Sequence, residues 1–565
     1  MAGRRIVIIG GVAAGTKAAA KARRLDQDAD IVVIEKGEHL SYAGCGLPYY
    51  ISGVVENRND LMSTPIGVLR DPDFFARVKD LKVLNRHAAL SIDRSSKEVL
   101  VRDLRDGSVK TLPYDKLILA TGSRPFVPPI TGRDLEGVYT LQNIEDADRI
   151  RSELEDRKAK DVVIIGGGLI SIESTENLVH TGCRVSVVEV LPQILPFLDE
   201  EMSLLVRQHM EARGVRVITG DKVEEIAGKD GRAVEVVTTN HRLSADFVII
   251  AAGVRPNIDL AREAGLDIGE TGAIAVDRRM ATSDPDIFAA GDCVENRCLV
   301  CQKNFYSYTP LGSTANKHGR VAAINACGGN ENFNGVVKTG ILKVFDFNVA
   351  RVGLTEKEAA GEGFDVMTAV TAAPDRAHFY PTAEAVIIKL LCDRKSGKLL
   401  GAQMVGPGDV DKRVDVVATA LTFGANVEDI TNLDLAYAPP YAPAMDNIID
   451  AANTLRNKVE GRFRGMSSLA LKALIDDGKT PFLLDVRSPG EFEEARIPGS
   501  NLIPLPMLRG RLEEVPRDCT VVVFCKSSLR AYEACLILKH SGYNDAWLLD
   551  GGIAAWPFEK ETGAP

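Results

Sequence analysis

Arg5-Ile-Val-Ile-Ile9, followed by Gly10-Gly-Val-Ala-Ala-Gly15 and later by Asp30-Ile-Val-Val-Ile-Glu35, is the stretch that decides the fold. The apolar β-branched runs read as buried parallel strands, the glycines as a tight turn, and the Ala/Lys/Arg-rich residues between as a helix. Amides at such a helix start cradle a pyrophosphate, and an acid ending the second strand binds a ribose diol. Gly10, Gly11, Ala14, Gly15 and Glu35 are therefore candidate dinucleotide ligands, with Val12 in place of the usual second glycine.

The pattern recurs. Asp161-Val-Val-Ile-Ile165 precedes Gly166-Gly-Gly-Leu-Ile-Ser171, and Arg184-Val-Ser-Val-Val-Glu189 closes the unit. Gly166 and Gly168 fit the fingerprint, and Ser171 stands for the third small residue. Glu189 sits where a ribose 2′-hydroxyl is read, and Val190-Leu-Pro follows it with no arginine. A 2′-phosphate would meet a carboxylate without a partner cation, so NADH is expected over NADPH. Two such folds in one chain suggest one site for a flavin and one for a nicotinamide.

Composition sets the outer bounds. A chain of 565 residues is too long for one core, and about 150 residues per domain suggests three or four. Its 45% hydrophobic and 26% charged residues are ordinary for a globular protein. No apolar run approaches the ~18 residues of a membrane span. Met1-Ala-Gly-Arg-Arg5 resembles a signal n-region, but glycines interrupt the apolar run and no cleavage site follows, so a buried first strand is expected. A net charge of −10 argues against general nucleic-acid binding. The ten cysteines are scattered, which fits reduced thiols and a cytoplasmic location. Cys298 and Cys301 form a Cys-x-x-Cys with Cys293 nearby, but zinc needs a fourth ligand that the sequence does not place, so no metal site is expected.

Ser41-Tyr-Ala-Gly-Cys-Gly-Leu-Pro-Tyr-Tyr50 follows the first ribose acid. Gly46 and Pro48 suggest a turn into a helix start, where amide donors would lower the Cys45 pKa towards reactivity. Pro48 and Tyr50 occupy the +3 and +5 positions, so Cys45 has no local partner. A lone redox cysteine pairs with an external thiol or cycles through sulfenate.

Further on, Lys116-Leu-Ile-Leu-Ala-Thr-Gly122 and Thr282-Ser-Asp-Pro-Asp-Ile-Phe-Ala-Ala-Gly-Asp292 both resemble signature segments of flavoprotein reductases with two dinucleotide sites. That resemblance implies FAD ligands at Lys36, Thr121, Gly122, Gly291 and Asp292, the last towards the ribityl chain. With Tyr308-Thr-Pro-Leu-Gly-Ser-Thr-Ala-Asn-Lys317, His378-Phe-Tyr-Pro381 and Leu435-Ala-Tyr-Ala-Pro-Pro-Tyr441, residues 1–455 resemble the coenzyme A-disulfide reductase family, which also contains persulfide and polysulfide reductases and NADH oxidases. The resemblance implies Cys45 as nucleophile, a homodimer, and Tyr380 and Tyr437 assisting proton transfer across it. It also implies that Lys17, Lys21, Arg24, Ser41 and Lys79 anchor coenzyme A. Gly44 departs from the family's usual asparagine, and Met445 falls near where some members have a basic residue.

Beyond the charged link Arg456–Gly465, helices and strands alternate over about 100 residues, the size of one small domain. Val523-Phe-Cys-Lys-Ser-Ser-Leu-Arg530 puts a cysteine at the end of a buried strand and before a helix, where backbone amides stabilise a thiolate. The segment resembles rhodanese domains, supported by Leu484-Asp-Val-Arg487, Glu491-Phe-Glu-Glu-Ala-Arg-Ile-Pro-Gly499 and Leu549-Asp-Gly-Gly-Ile-Ala-Ala-Trp556. This implies a persulfide on Cys525 with Arg530 adding charge, and Arg496 where a histidine is usual. A phosphatase loop would place the arginine one residue later.

The expected class is α/β. An FAD domain spans 1–117 and 245–332, with 118–150 as connection, and an NADH domain spans 151–244. An α+β dimerisation domain at 333–455 and a linker at 456–465 lead to the rhodanese domain at 466–565. The expected activity is NADH-dependent reduction of persulfide, polysulfide or coenzyme A disulfide. Two alternatives are an NADH oxidase working through a Cys45 sulfenate and a non-turnover flavin sensor or sulfur carrier.

Overall fold

The computed structural model describes residues 3–563, so Met1 and Ala2 of the basic N-terminal stretch lie outside the described residues. Two compact units emerge. The first holds the chain up to Pro192 with Ile218–Leu299 and Asn304–Val336; the second holds Gln193–Val217, Val300–Lys303 and the chain from Val337 onward.

In the first unit, β1 (Arg5–Ile9), α1 (Ala14–Leu25), β2 (Asp30–Ile34), α2 (Leu47–Ile51), α3 (Pro72–Lys79), β3 (Lys82–Leu84) and β4 (Lys116–Leu119) come first. They are followed by β5 (Val138–Tyr139), β6 (Asp161–Ile165), α4 (Leu169–His180), β7 (Arg184–Glu189), β8 (Phe247–Ile250), β9 (Ile287–Ala289) and α5 (Gly312–Ala326). A parallel sheet runs β9-β4-β1-β2-β3, and a second parallel set runs β7-β6-β8-β5. Continuous apolar strands suit sheets covered on both faces. Ile6, Ile8, Ile31 and Val33 pack on one side with alanines of α1, while Val7, Ile9, Leu117 and Leu119 pack on the other. The helices α1 and α5 meet closely, because a Cβ on Gly319 would stand 2.2 Å from the Ala14 carbonyl oxygen.

The second unit contains an antiparallel sheet made of β10 (Gly340–Val344), β11 (Phe347–Gly353), β12 (Val366–Pro374), β13 (Ala385–Asp393) and β14 (Leu399–Gly406), in the order β10-β11-β14-β13-β12. The helices α6 (Glu356–Glu362), α7 (Asp411–Thr422) and α8 (Asn447–Val459) accompany it. At its centre the fully buried Lys389 binds three carboxylates, Glu201 at 2.6 Å, Glu356 at 2.8 Å and Asp199 at 2.9 Å. Their field outweighs the burial of the ammonium and holds its pKa above the ordinary value. Asp199 and Glu201 lie in the sequence of the nucleotide-binding stretch, yet they belong to this unit.

A parallel sheet follows, ordered β15-β19-β18-β16-β17, from β15 (Gly465–Met466), β16 (Phe482–Asp485), α9 (Pro489–Glu494), β17 (Asn501–Leu502), β18 (Val521–Phe524), α10 (Leu529–His540) and β19 (Ala546–Leu549). The sequence shows this alternation of helices and strands. It gives no sign of the two-residue edge strands, which are too short for a period to register. Arg496 is buried, donates to Glu561 at 3.0 Å and to the Gly563 carbonyl at 2.5 Å, and lies over Phe492, which is a structural role. Among the described residues no helix is long and apolar enough to cross a membrane.

Candidate functional site

The first glycine turn has the geometry that a pyrophosphate needs. Gly10 has φ +113°, and a Cβ there would stand 2.0 Å from the Ala120 carbonyl oxygen. A Cβ on Gly15 would stand 1.8 Å from the Gly10 oxygen, so only glycine lets α1 approach the turn. The Glu35 carboxylate accepts from Gly11 N–H at 2.5 Å and Gly37 N–H at 2.6 Å, which fixes the acid beside the turn. Lys36 is exposed next to it, and Ala14 is buried at the start of α1. Across the sheet, Gly122 and Gly291 both have positive φ, and Thr121 donates from its hydroxyl to the Asn257 carbonyl at 2.7 Å. Asp292 is pushed up to about 6 by burial. These turns converge at the carboxyl ends of parallel strands, the place where such sheets bind ligands. The residues fit a flavin dinucleotide.

The second turn repeats the arrangement. Gly166 also has φ +113°, and Glu189 accepts from Gly167 N–H at 2.6 Å and Leu191 N–H at 2.8 Å. A Cβ on Gly168 would meet nothing within 4 Å, so its face is open to a ligand.

Cys45 sits in a single 3-10 turn, Gly44–Gly46, just before α2. A Cβ on Gly46 would collide with Leu61 at 2.3 Å, whereas one on Gly44 would meet nothing, so Gly44 lines open space. The helix α2 packs on α4, and the Ser52 hydroxyl donates to Asn177 at 2.6 Å. The thiol is exposed to solvent. Its pKa is nevertheless raised rather than lowered: lost hydration is the main cause, with the charges of Glu173 and then Asp292 adding to it. This corrects the expectation from the turn, because a five-residue helix supplies too little dipole to offset the lost hydration and the nearby carboxylates.

Glu173 itself was invisible in the sequence. It lies half-buried on α4 and is pushed up to about 7, first by burial and then by Glu176. Only the third-dimensional approach of α2 to α4 reveals that it acts on Cys45. Tyr308 donates to the Asp292 carbonyl at 2.9 Å, and burial raises its pKa too. His318 is fully buried and accepts from Gly291 N–H at 3.3 Å; burial draws its pKa down to about 4, so it holds that turn as neutral imidazole.

Lys17, Lys21 and Arg24 share one face of α1, and Lys17 and Arg24 are exposed. Arg23 beside them donates to the Asp80 carbonyl at 2.8 and 3.0 Å, which ties α1 to the end of α3 where Lys79 lies. Ser41 is joined to Arg70, whose guanidinium donates to its carbonyl at 3.3 Å.

In the second unit, Tyr437 is exposed and lines a cavity of about 350 Å³ with His378, Phe379, Asn447 and Asp450. Asp450 is pushed up to about 6, mainly by lost hydration and then by Asp446. Tyr380 lies in the adjoining turn, where its N–H donates to the Ala377 carbonyl at 2.8 Å, but it does not line the cavity.

Also in this unit, Cys525 directly follows β18 and is fully buried. Burial raises its pKa, opposed by amides of Ala531, Ser527 and Arg530 and by the Arg530 charge. The Arg530 guanidinium is held bidentately by Glu491 at 2.7 Å to each oxygen, and this draws Glu491 down to about 2. Glu491 also closes a capping box with Ser488. The Arg530–Glu491 pair joins residues 39 apart, beyond what local sequence spacing marks.

Cys298 and Cys301 are disulfide-bonded, which corrects the expectation of incidental reduced thiols. Among the described residues no cluster suited to a metal ion is found.

Residues 4–319 match the pyridine nucleotide-disulphide oxidoreductase family, 340–449 its dimerisation domain, and 467–558 the rhodanese-like domain. A NAD-dependent persulfide reductase from A. fulgidus is 44% identical, with 98% of this chain and 100% of that one covered and a TM-score of 0.92. Reduced Bacillus anthracis CoADR-RHD is 34% identical over 98% of both chains, with a TM-score of 0.91. An NADH oxidase from Methanocaldococcus jannaschii is 34% identical over 81% of this chain and the whole of that one. The chain belongs to the pyridine nucleotide-disulphide oxidoreductase family, uses a flavin and a nicotinamide cofactor, and carries a rhodanese-like domain at residues 467–558.

Proposed function

We propose that the protein is an FAD-dependent NADH:persulfide reductase that works on a coenzyme A-bound sulfur chain, with Cys45 as its one redox thiol and Cys525 as a sulfane-sulfur carrier. The single observation that carries this reading is the isolation of Cys45. It is exposed, it lies on the segment packed against α4, and no cysteine follows within its helix. An enzyme with an internal disulfide needs two thiols, whereas one thiol needs an external partner.

A bound flavin supplies two-electron transfer from NADH to a sulfur–sulfur bond. Glu189 favours NADH by presenting a carboxylate where NADPH carries its 2′-phosphate. The Cys45 thiolate attacks the inner sulfur of a coenzyme A persulfide, forming a mixed disulfide and releasing hydrosulfide. Two electrons and one proton then return the Cys45 thiolate and free coenzyme A thiol. Lys17, Lys21, Arg24 and Lys79 hold the phosphates of that thiol, with Ser41 nearby. The molecule acts as a homodimer, and Tyr437 and Tyr380 of the partner chain deliver the proton, since a phenol suits protonating a thiolate.

Anaerobic assay of the flavin-loaded protein with NADH and coenzyme A persulfide tests this. Sulfide should appear in step with NADH loss, and Cys45→Ser should abolish it; a persisting rate refutes the mechanism. The likeness to an NADH oxidase supports a second reading, in which Cys45 cycles as sulfenate. Oxygen uptake from NADH without any sulfur substrate, at a rate matching the sulfide assay, would favour it.

A further inference from the structure

The loop that carries Cys525 is held by the turn at Gly551–Gly552. Gly551 and Gly552 have φ +74° and +59°, and a Cβ on Gly552 would stand 2.3 Å from the Ser527 carbonyl oxygen and 2.4 Å from that of Cys525. Glycine is required at this contact. Ile553 and Ala554 donate their N–H groups to the Cys525 and Lys526 carbonyls, each at 3.0 Å. With those carbonyls tied to one side, the amides of Ser527, Arg530 and Ala531 are left to act on the sulfur.

Asp550 begins this turn and is buried. One of its oxygens accepts from Lys458 Nζ at 2.7 Å, and the other has no hydrogen-bond partner. Lys458 stands in the last turn of α8, between the dimerisation match at 340–449 and the rhodanese-like match at 467–558, in the same unit. A Cβ on Gly465 would lie 2.5 Å from Asp550 Oδ1 and 2.6 Å from Lys458 Nζ, so backbone closes over the pair. The other charges acting on Asp550 are Lys389 and Glu201, and Lys389 is already bound by three carboxylates. Lys458 is thus the cation in direct contact with Asp550. The charged groups around Cys525 itself are Arg530, held by Glu491, with Cys535 behind it and Lys526 exposed.

We propose that Lys458 and Asp550 are positioning residues for sulfur transfer at Cys525: the ion pair anchors the Gly551–Gly552 turn, and that turn sets the amides around the persulfide sulfur. The inference rests on the reading of Cys525 as sulfur carrier. Removing one partner of a buried pair leaves an uncompensated charge, which pulls the turn towards water.

The test uses the full-length flavin-loaded protein, with flavin content and melting as fold checks. Three readouts are needed: the pH profile of Cys525 alkylation by iodoacetamide, sulfur transfer from thiosulfate to cyanide, and NADH oxidation with coenzyme A disulfide. In Lys458→Met the alkylation midpoint should rise by about one pH unit and transfer should fall about tenfold, the same factor expressed twice. NADH oxidation should stay within about twofold, and Lys458→Arg should restore transfer, because the cation is kept. Asp550→Asn should move the first two readouts in the same direction, and it decides the matter if Lys458→Met does not fold. A folded Lys458→Met or Asp550→Asn with wild-type alkylation and transfer overturns the proposal while leaving Cys525 as carrier. A wild-type protein without transfer at Cys525 overturns both.

Discussion

In the unit built on β1 and the unit built on β6, the first glycine of the turn has the same φ, +113°. Its N–H donates to the neighbouring strand at the same 2.8 Å, from Gly10 to Ile34 and from Gly166 to Val188. The closing glutamate grips the next amide at 2.5 Å in one and 2.6 Å in the other. The two units part at three positions counted from that glycine. At the third residue the flavin unit has half-buried Val12, and the nicotinamide unit has Gly168 facing open space. At the sixth, Gly15 lets α1 close to contact, whereas buried Ser171 is tolerated on α4. At the eighth, exposed Lys17 is replaced by half-buried Glu173. The two turns share a backbone, and the side chains set the helices apart: an exposed cation on α1, a half-buried acid on α4 near Cys45.

Exchanging the sixth residue should break this symmetry most strongly. Gly15→Ser installs in the flavin unit what the nicotinamide unit accepts, but its Cβ would stand 1.8 Å from the Gly10 oxygen. The backbone must shift at the pyrophosphate turn, so the purified variant should lose most of its flavin, read from its visible absorbance. Full flavin content in Gly15→Ser would show that α1 does not need the close approach.

A smaller effect is expected at Glu189. Glu189→Gln keeps the size and one of the two bonds from Gly167 and Leu191 N–H, and removes the charge proposed to disfavour a 2′-phosphate. The ratio of kcat/KM for NADPH to that for NADH should rise about tenfold, the scale of about 1.4 kcal/mol for one such charge. An unchanged ratio would place the discrimination elsewhere.

The strands, both turns, Glu35 and Glu189 were legible in the sequence because each depends on residues within one βαβ unit. Cys45 and Cys525 were legible as types in place, but their electrostatics were not. The turn at Gly44–Gly46 suggested a lowered thiol pKa, and the structure reverses the sign, first through lost hydration and then through Glu173, brought in from a helix far along the chain. Lys389 with its three acids and Lys458 with Asp550 were equally hidden. Each joins elements separated by tens to hundreds of residues, and no local period marks a charge that will be buried.

Glu173 sharpens the comparison at the eighth position. It is pushed up to about 7 from an ordinary 4.5, so the folded state holds its proton more tightly than the unfolded chain does. Its contribution to stability is therefore present below pH 4.5 and is lost as pH rises through about 7. Glu173→Gln should flatten that part of the melting-temperature profile. It should also lower the alkylation midpoint of Cys45, since the carboxylate that raises it is gone, by a few tenths of a pH unit for one partly solvated charge. A midpoint that stays put, or rises, would mean that Glu173 has no part in setting the Cys45 pKa.

The smallest change is expected where the flavin unit departs most visibly from the fingerprint. Val12→Gly restores the glycine that Gly168 supplies in the other unit. Val12 has no positive φ, and its carbonyl, which is kept in the variant, accepts from the Thr16 hydroxyl at 2.5 Å. Glycine is thus not required by the backbone here, and its extra freedom in the unfolded chain should cost about 0.5–1 kcal/mol. Flavin content should remain within about twofold, with melting lowered by a few degrees at most. If flavin affinity instead rises about tenfold, equivalent to 1.4 kcal/mol, Val12 is crowding the pyrophosphate, and the two turns differ by obstruction rather than by tolerance.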